Sequence, residues 1–218
     1  GVQTCALPIF VQASQAPCQE QVFYADDPDF DLRKLLPAPT NTPIDAGPFF
    51  CLGLVLASDP EDSSLTDVTI HRLCVQERDE LSMFLAAGRH IEVFRKKAEE
   101  AGKPLPVTIN MGLDPAIYIG ACFEAPTTPF GYNELGVAGA LRQQPVELVQ
   151  GVAVKEKAIA RAEIIIEGEL LPGVRVREDQ HTNTGHAMPE FPGYCGEANP
   201  SLPVIKVKAV TMRNHAIL

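Results

Sequence analysis

Several signatures that would announce a function are missing. There is no Gly-x-Gly-x-x-Gly turn, no phosphate-binding Gly-Lys-Ser/Thr loop and no Gly-x-Ser-x-Gly elbow. Their absence removes the usual dinucleotide, P-loop and α/β-hydrolase readings. None of the six cysteines (Cys5, Cys18, Cys51, Cys74, Cys122, Cys195) forms a Cys-x-x-Cys pair, so neither a zinc ribbon nor a thioredoxin-type site is expected. No apolar run reaches the roughly 18–20 residues of a membrane span. Positive charge is in short supply: 18 Lys and Arg stand against 28 Asp and Glu, a net charge of -10. That disfavours nucleic acid and anionic membranes as partners, since both call for a basic face. Internal repeats and low-complexity tracts are also lacking. No secretory signal is evident, so the cysteines are expected to be reduced thiols of a cytoplasmic protein. Such thiols act mostly as small buried hydrophobes.

The start also lacks an initiator Met. GVQTCALPI, residues 1–9, matches the translation of a common sequencing adapter residue for residue. These residues are set aside from fold reasoning. Residues 10–218 are read as one domain of a longer enzyme, cut at both ends. The strand-like stretch Pro203–Met212 runs to within six residues of Leu218. An apolar content of 45% and a charged content of 21% are ordinary for a globular chain able to bury a sizeable core.

The periodicity predicts an α+β domain with a largely β core. Residues 24–48, rich in Pro and Asp, read as a loop ordered by packing. FFCLGLVLA (49–57) is a continuous apolar run and reads as a buried strand. Residues 65–77 alternate and form its hairpin partner. Residues 90–104 read as an amphipathic helix with Ile91, Phe94 and Ala98 inward, stopped by Gly102 and Pro104. A strand over 105–112 follows, then a helix with Asp114 as N-cap and Pro115 at its first position. A short helix over 133–143, two or three strands within 146–171 and a last strand over 203–212 complete the pattern.

Chemistry-bearing residues cluster in a few places. The period of two puts Asp67, Thr69 and His71 on one face of their strand and Arg72 on the other. Asp67 reads as a metal carboxylate or as part of a solvated edge strand. His90 and Glu134 each open a helix, where a capping histidine or a dipole-favoured carboxylate is also reasonable. The strand AEIIIEGEL places Glu163, Ile165, Glu167 and Glu169 on one face, best read as wet. REDQHTNTGHAMPEFPGY (177–194) fits no regular element. It carries Glu178, Asp179, Glu190, His181 and His186, and such loops on rigid scaffolds are where catalysis tends to reside.

Taken together, eight segments resemble the 3-polyprenyl-4-hydroxybenzoate decarboxylase (UbiD) family. They are DAGPFF (45–50), DPED (59–62), DVTIHR (67–72), GRHIEVF (88–94), GLDPAIYIGA (112–121), ELGVAGALRQQPVELV (134–149), AEIIIEG (162–168) and PEFPGY (189–194). The resemblance holds in order and rough spacing from about residue 20 to the end. It implies a split β-barrel of the flavin-reductase type with inserted helices. It implies prenylated FMN held through its phosphate by Mn2+ or Mg2+ and by K+. The family's Asn, His and Glu metal ligands fall on Asp67, His90 and Glu134; Asp replaces the usual Asn. Cys122 matches a residue near the potassium and phosphate, usually Ser. The catalytic Arg-Glu-Glu set falls on Arg72, Glu178 and Glu190, with Arg72 and Glu134 also counted as cofactor contacts. Seven extra residues around HTNTGHAM resemble the branch acting on gallate, protocatechuate and 4-hydroxybenzoate, and His181 and His186 are candidates to meet phenolic hydroxyls. The implied partners are a small aromatic carboxylic acid, a flavin prenyltransferase as cofactor supplier and further copies of the chain. The alternatives are a polyprenyl-4-hydroxybenzoate decarboxylase of quinone biosynthesis and a non-catalytic flavin-binding module.

Overall fold

The computed structural model describes residues 7–86, 88–123 and 128–217. Within them the elements run β1 (Ile9–Phe10), β2 (Gln21–Tyr24), α1 (Leu32–Leu35), β3 (Phe49–Ser58), β4 (Thr66–Glu77), β5 (Glu80–Met83), α2 (His90–Glu100), β6 (Leu105–Met111), α3 (Pro115–Ala121), α4 (Glu134–Arg142), β7 (Glu147–Gln150), β8 (Lys157–Ile159), β9 (Ile164–Val176), β10 (His186–Pro189), β11 (Cys195–Glu197) and β12 (Leu202–Met212). Six strands close on themselves in the order β12-β5-β4-β3-β6-β9, and β9 pairs again with β12. Every pairing around the ring is antiparallel. The architecture is the expected α+β split barrel. The split is visible on β12: Val204–Lys206 pair with β5, and Ala209–Met212 pair with β2 on the same edge.

The continuous apolar run of β3 has a packing cause. Val55 and Ala57 join a core fed by all six barrel strands and by α2. Leu54 and Leu56 join a second core with α3, α4, β7 and β8. A strand buried on both faces has no reason to alternate. The helix α2 buries Ile91, Phe94 and Ala98, the predicted face, but ends at Glu100 rather than 104. Gly102 takes φ +65 there, and the Lys103 N–H turns back to the Ala98 carbonyl, a stop that glycine makes cheap. Asp114 caps α3 through the Ala116 N–H, with Pro115 at the first position as predicted.

Two expectations are corrected. The face carrying Glu163, Ile165, Glu167 and Glu169 is not a wet one. Ile165 and Glu167 are fully buried. The Glu167 carboxylate accepts the N–H groups of Val152 (2.9 Å), Ala153 (2.7 Å) and Val154 (3.1 Å), a nest of amides that fixes the 151–155 turn. The segment 177–194 is less irregular than its sequence suggests. His186–Pro189 pairs antiparallel with Cys195–Glu197 to make a small two-stranded ribbon. Asp179 holds its base. The Asp179 side chain accepts Gly185 N–H at 2.7 Å and Arg177 Nε at 2.6 Å.

Candidate functional site

Two clusters share the strand β4. The first lies at its start. Asp67 is the second residue of β4, His90 the first of α2 and Glu134 the first of α4. Their ligand atoms all lie within 4.8 Å of one another. The solvated-edge reading of β4 does not hold, because β4 runs between β3 and β5 and Asp67 is buried. The Asp67 carboxylate also does the capping that Arg89 does not: its Oδ2 accepts the Ile91 N–H at 2.8 Å. That bond fixes the first turn of α2, and therefore His90, against the barrel. Phe130 packs edge-on against the imidazole, with ring centroids 5.2 Å apart.

Electrostatically this corner disfavours two bare carboxylates. Burial pushes Asp67 above the ordinary carboxylate range, with His90 pulling the other way. Burial, reinforced by the Asp67 charge, pushes Glu134 up to about 8. Two desolvated carboxylates and one imidazole within reach of one point suit a hard divalent cation, whose charge would favour the ionised forms. The donor set therefore fits the Mn2+ or Mg2+ that the sequence resemblance implies.

The second cluster sits five residues along β4. Arg72 meets Glu178 through two parallel contacts, Nε to Oε1 at 3.0 Å and Nη2 to Oε2 at 3.1 Å. Its Nη1 reaches Glu190 Oε1 at 3.4 Å. The guanidinium carbon lies 4.3 Å from the centroid of the Phe84 ring. Glu178 is buried, and its Oε2 also accepts the Asn199 N–H at 3.0 Å. Glu190 is more open, with 39% of its side chain exposed, at the turn joining β10 to β11. The Arg, Glu and Glu picked out far apart in the sequence thus converge.

The remaining candidates are placed differently. Cys122 is the exposed C-cap of α3, and residues 124–127 beyond it lie outside the described part. His181 sits at the surface with Nε2 3.2 Å from Glu77 Oε1. His186 is half-buried on β10, and its Nδ1 has no hydrogen-bond partner among the described residues. Sequence reasoning missed Phe84 and Asn199 altogether. It also missed Gln76, whose amide donates to the Glu178 carbonyl at 3.0 Å and to Ser82 Oγ at 2.8 Å. Gln76 carried a signal of sorts: a glutamine inside an otherwise apolar strand end needs buried partners.

Comparison with known proteins agrees with this fold. The family described as UbiD, the 3-octaprenyl-4-hydroxybenzoate carboxy-lyase Rift-related domain, matches residues 10–218. A gallate decarboxylase of Lactiplantibacillus plantarum is 57% identical over 219 residues, covering 100% of this chain and 44% of that protein. The apo structure of a 3,4-dihydroxybenzoic acid decarboxylase from Enterobacter cloacae superposes with a TM-score of 0.93 at 94% identity, over 100% of this chain and 45% of that one. The enzyme HmfF from Pelotomaculum thermopropionicum, in complex with prFMN, gives 0.86 at 36% identity over 99% and 48%. The chain therefore spans under half the length of these relatives.

Proposed function

Because this chain belongs to the UbiD family, we propose that it works within a non-oxidative decarboxylase of hydroxylated aromatic acids of the gallate, protocatechuate or 4-hydroxybenzoate type. The observation that supports this most is the Arg72 fork, a cation holding two carboxylates of different exposure at one point. The relatives that act on gallate and 3,4-dihydroxybenzoic acid favour that branch.

In this reading Asp67, His90 and Glu134 would hold a divalent cation to receive the phosphate of prenylated FMN, and Cys122 would contribute near the K+. Prenylated FMN, when bound, supplies an electron sink for the ring as carbon dioxide departs. Arg72 lies five residues further along β4, roughly 16 Å by the rise per residue, and leaves the opposite face of the strand from Asp67. The residues there divide the work. Glu178 has both oxygens occupied, by Arg72 and by the Asn199 amide, so it serves as the fixed anion that orients the guanidinium. Glu190 meets Arg72 through one longer contact and is the more open of the two, so it delivers the proton to the ring carbon that has lost carbon dioxide. Arg72 aims that carboxyl and adjusts to its change of charge.

Five described cysteines are free and no described helix is long and apolar enough to cross a membrane. Free thiols suit a reducing compartment, and we place the protein in the cytoplasm, working as a homo-oligomer and supplied by a flavin prenyltransferase. The test is carbon dioxide release from gallate, protocatechuate and 4-hydroxybenzoate by the full-length enzyme, made with and without a co-expressed flavin prenyltransferase. Release is expected only with the prenyltransferase, and Glu190→Gln should lower it by ~10²–10⁴-fold. No release from any of the three acids, with flavin and metal bound, rules the hydroxybenzoate reading out.

A further inference from the structure

Between the two clusters β4 carries another polar pair that the reading above does not use. Thr69 and His71 are buried, at 3% and 5% exposure. The protons of the pair can be placed. His71 Nδ1 lies 3.0 Å from the carbonyl oxygen of Phe84, an atom that only accepts, so Nδ1 carries the hydrogen. The other ring nitrogen, Nε2, meets the Thr69 hydroxyl. Burial pushes the ring down to about 4, which outweighs the pull of the Phe84 carbonyl. Near neutral pH the ring therefore holds a single proton, and Nε2 accepts from Thr69 Oγ1–H.

The consequence falls on Phe84. It follows the last residue of β5 and opens the stretch 84–89, which has no strand or helix of its own among the described residues. Its backbone is held from two sides. The Phe84 N–H donates to the Arg72 carbonyl at 3.4 Å, and the Phe84 carbonyl accepts from His71. Its ring then lies under the Arg72 guanidinium. A cation over an aromatic face is held by the ring only while the ring stays in place.

We propose that His71, oriented by Thr69, is a positioning residue that fixes the Phe84 carbonyl and so holds the Phe84 ring as the floor on which Arg72 presents Glu178 and Glu190. The functional half of this rests on the decarboxylase reading; the mechanical half does not. A merely space-filling histidine would be replaced without consequence for Arg72 by any side chain of similar bulk.

Two variants separate these roles. His71→Leu keeps bulk and deletes both hydrogen bonds. His71→Asn keeps an amide N–H close to the place of Nδ1–H. The first readout uses the full-length enzyme before flavin loading: nuclear magnetic resonance of the His71 ring nitrogens and of the Arg72 Nε–H. The ring is expected to show Nδ1 protonated and Nε2 bare. Arg72 Nε–H should exchange with solvent at least about tenfold faster in His71→Leu, ~1.4 kcal/mol of lost protection, and return close to wild type in His71→Asn. The second readout uses the flavin-loaded full-length enzyme. There His71→Leu should lower kcat by about tenfold or more with KM and flavin absorbance unchanged, and His71→Asn should recover it. Unchanged exchange at Arg72 in His71→Leu, a loss that Asn does not rescue, or a ring protonated on Nε2 overturns the proposal. If His71→Leu does not fold, Thr69→Val, which removes one hydroxyl, takes its place: faster Arg72 exchange supports the proposal and wild-type exchange overturns it. A wild-type enzyme that releases no carbon dioxide sinks the decarboxylase reading instead, and the exchange data then decide the positioning role alone.

Discussion

Arg72 meets Glu178 through two parallel N–H···O contacts while Glu178 itself is almost wholly withdrawn from water. A buried carboxylate stripped of its cation is costly. Arg72→Leu is therefore expected to destabilise the domain by about 3–5 kcal/mol, read as a fall in the urea midpoint at unchanged slope. Arg72→Lys restores charge but not the planar fork, and should recover stability more than activity. A melt of Arg72→Leu that matches wild type would mean the fork is not made in solution. His71 makes a second prediction at this scale. Burial lowers its folded pKa from 6.5 to about 4, so between those values the unfolded chain binds the extra proton and the folded one does not. Its contribution is present above about pH 6.5 and is lost as pH falls toward 4, on the order of 3 kcal/mol in all. Midpoints measured across that window should slope less in His71→Asn than in wild type.

Among the elements, the segment 177–197 shows how a stretch without periodicity becomes ordered. Burial raises the Asp179 pKa, but the Gly185 amide and the Arg177 guanidinium outweigh it and hold the carboxyl below its usual range. A depressed carboxylate stabilises the fold above its unfolded pKa and loses that contribution as pH falls through the folded value. Protection of the Gly185 amide relative to its intrinsic exchange rate should therefore fall in acid below about pH 4, and Asp179→Asn should show lower protection already at neutral pH. The β9–β12 seam offers a different element-scale test. A Cβ at Gly168 would stand 2.6 Å from Ile205 Cγ2 and 2.8 Å from the Lys206 carbonyl oxygen. Gly168→Ala is expected to cost ~1–3 kcal/mol by overpacking, visible as a lower melting temperature. This glycine looks unremarkable in the sequence; only the second strand lying against it makes the position tight.

Across the whole molecule, the Asp67–His90–Glu134 corner joins a barrel strand to the starts of two helices. A cation held there binds the folded chain and has no such site on the unfolded one. Mn2+ at 100 times its dissociation constant should add ~2.7 kcal/mol of stability, seen as a melting temperature that rises with added Mn2+ and falls back with chelator. Glu134→Ala should abolish the shift while leaving the metal-free melt near or above that of wild type, because it removes a desolvated carboxyl. A melt indifferent to Mn2+ in the wild-type chain would empty the corner of its proposed role.

Composition and period determined the α+β class, the long strands, the buried face of α2 and the cap of α3, because each follows from residues within a few positions of one another. The family resemblance picked out Asp67, His90, Glu134, Arg72, Glu178 and Glu190 by motif, and closure of the barrel brings them into two clusters. What the sequence could not carry was decided by contacts across long separations. Glu167 looked wet until the 151–155 turn folded over it and offered its amides. His71 and Phe84 are thirteen positions apart, and their bond exists only because β4 and β5 pair. Alternation tells which face a side chain leaves from; what waits on that face is set by the register of the neighbouring strands.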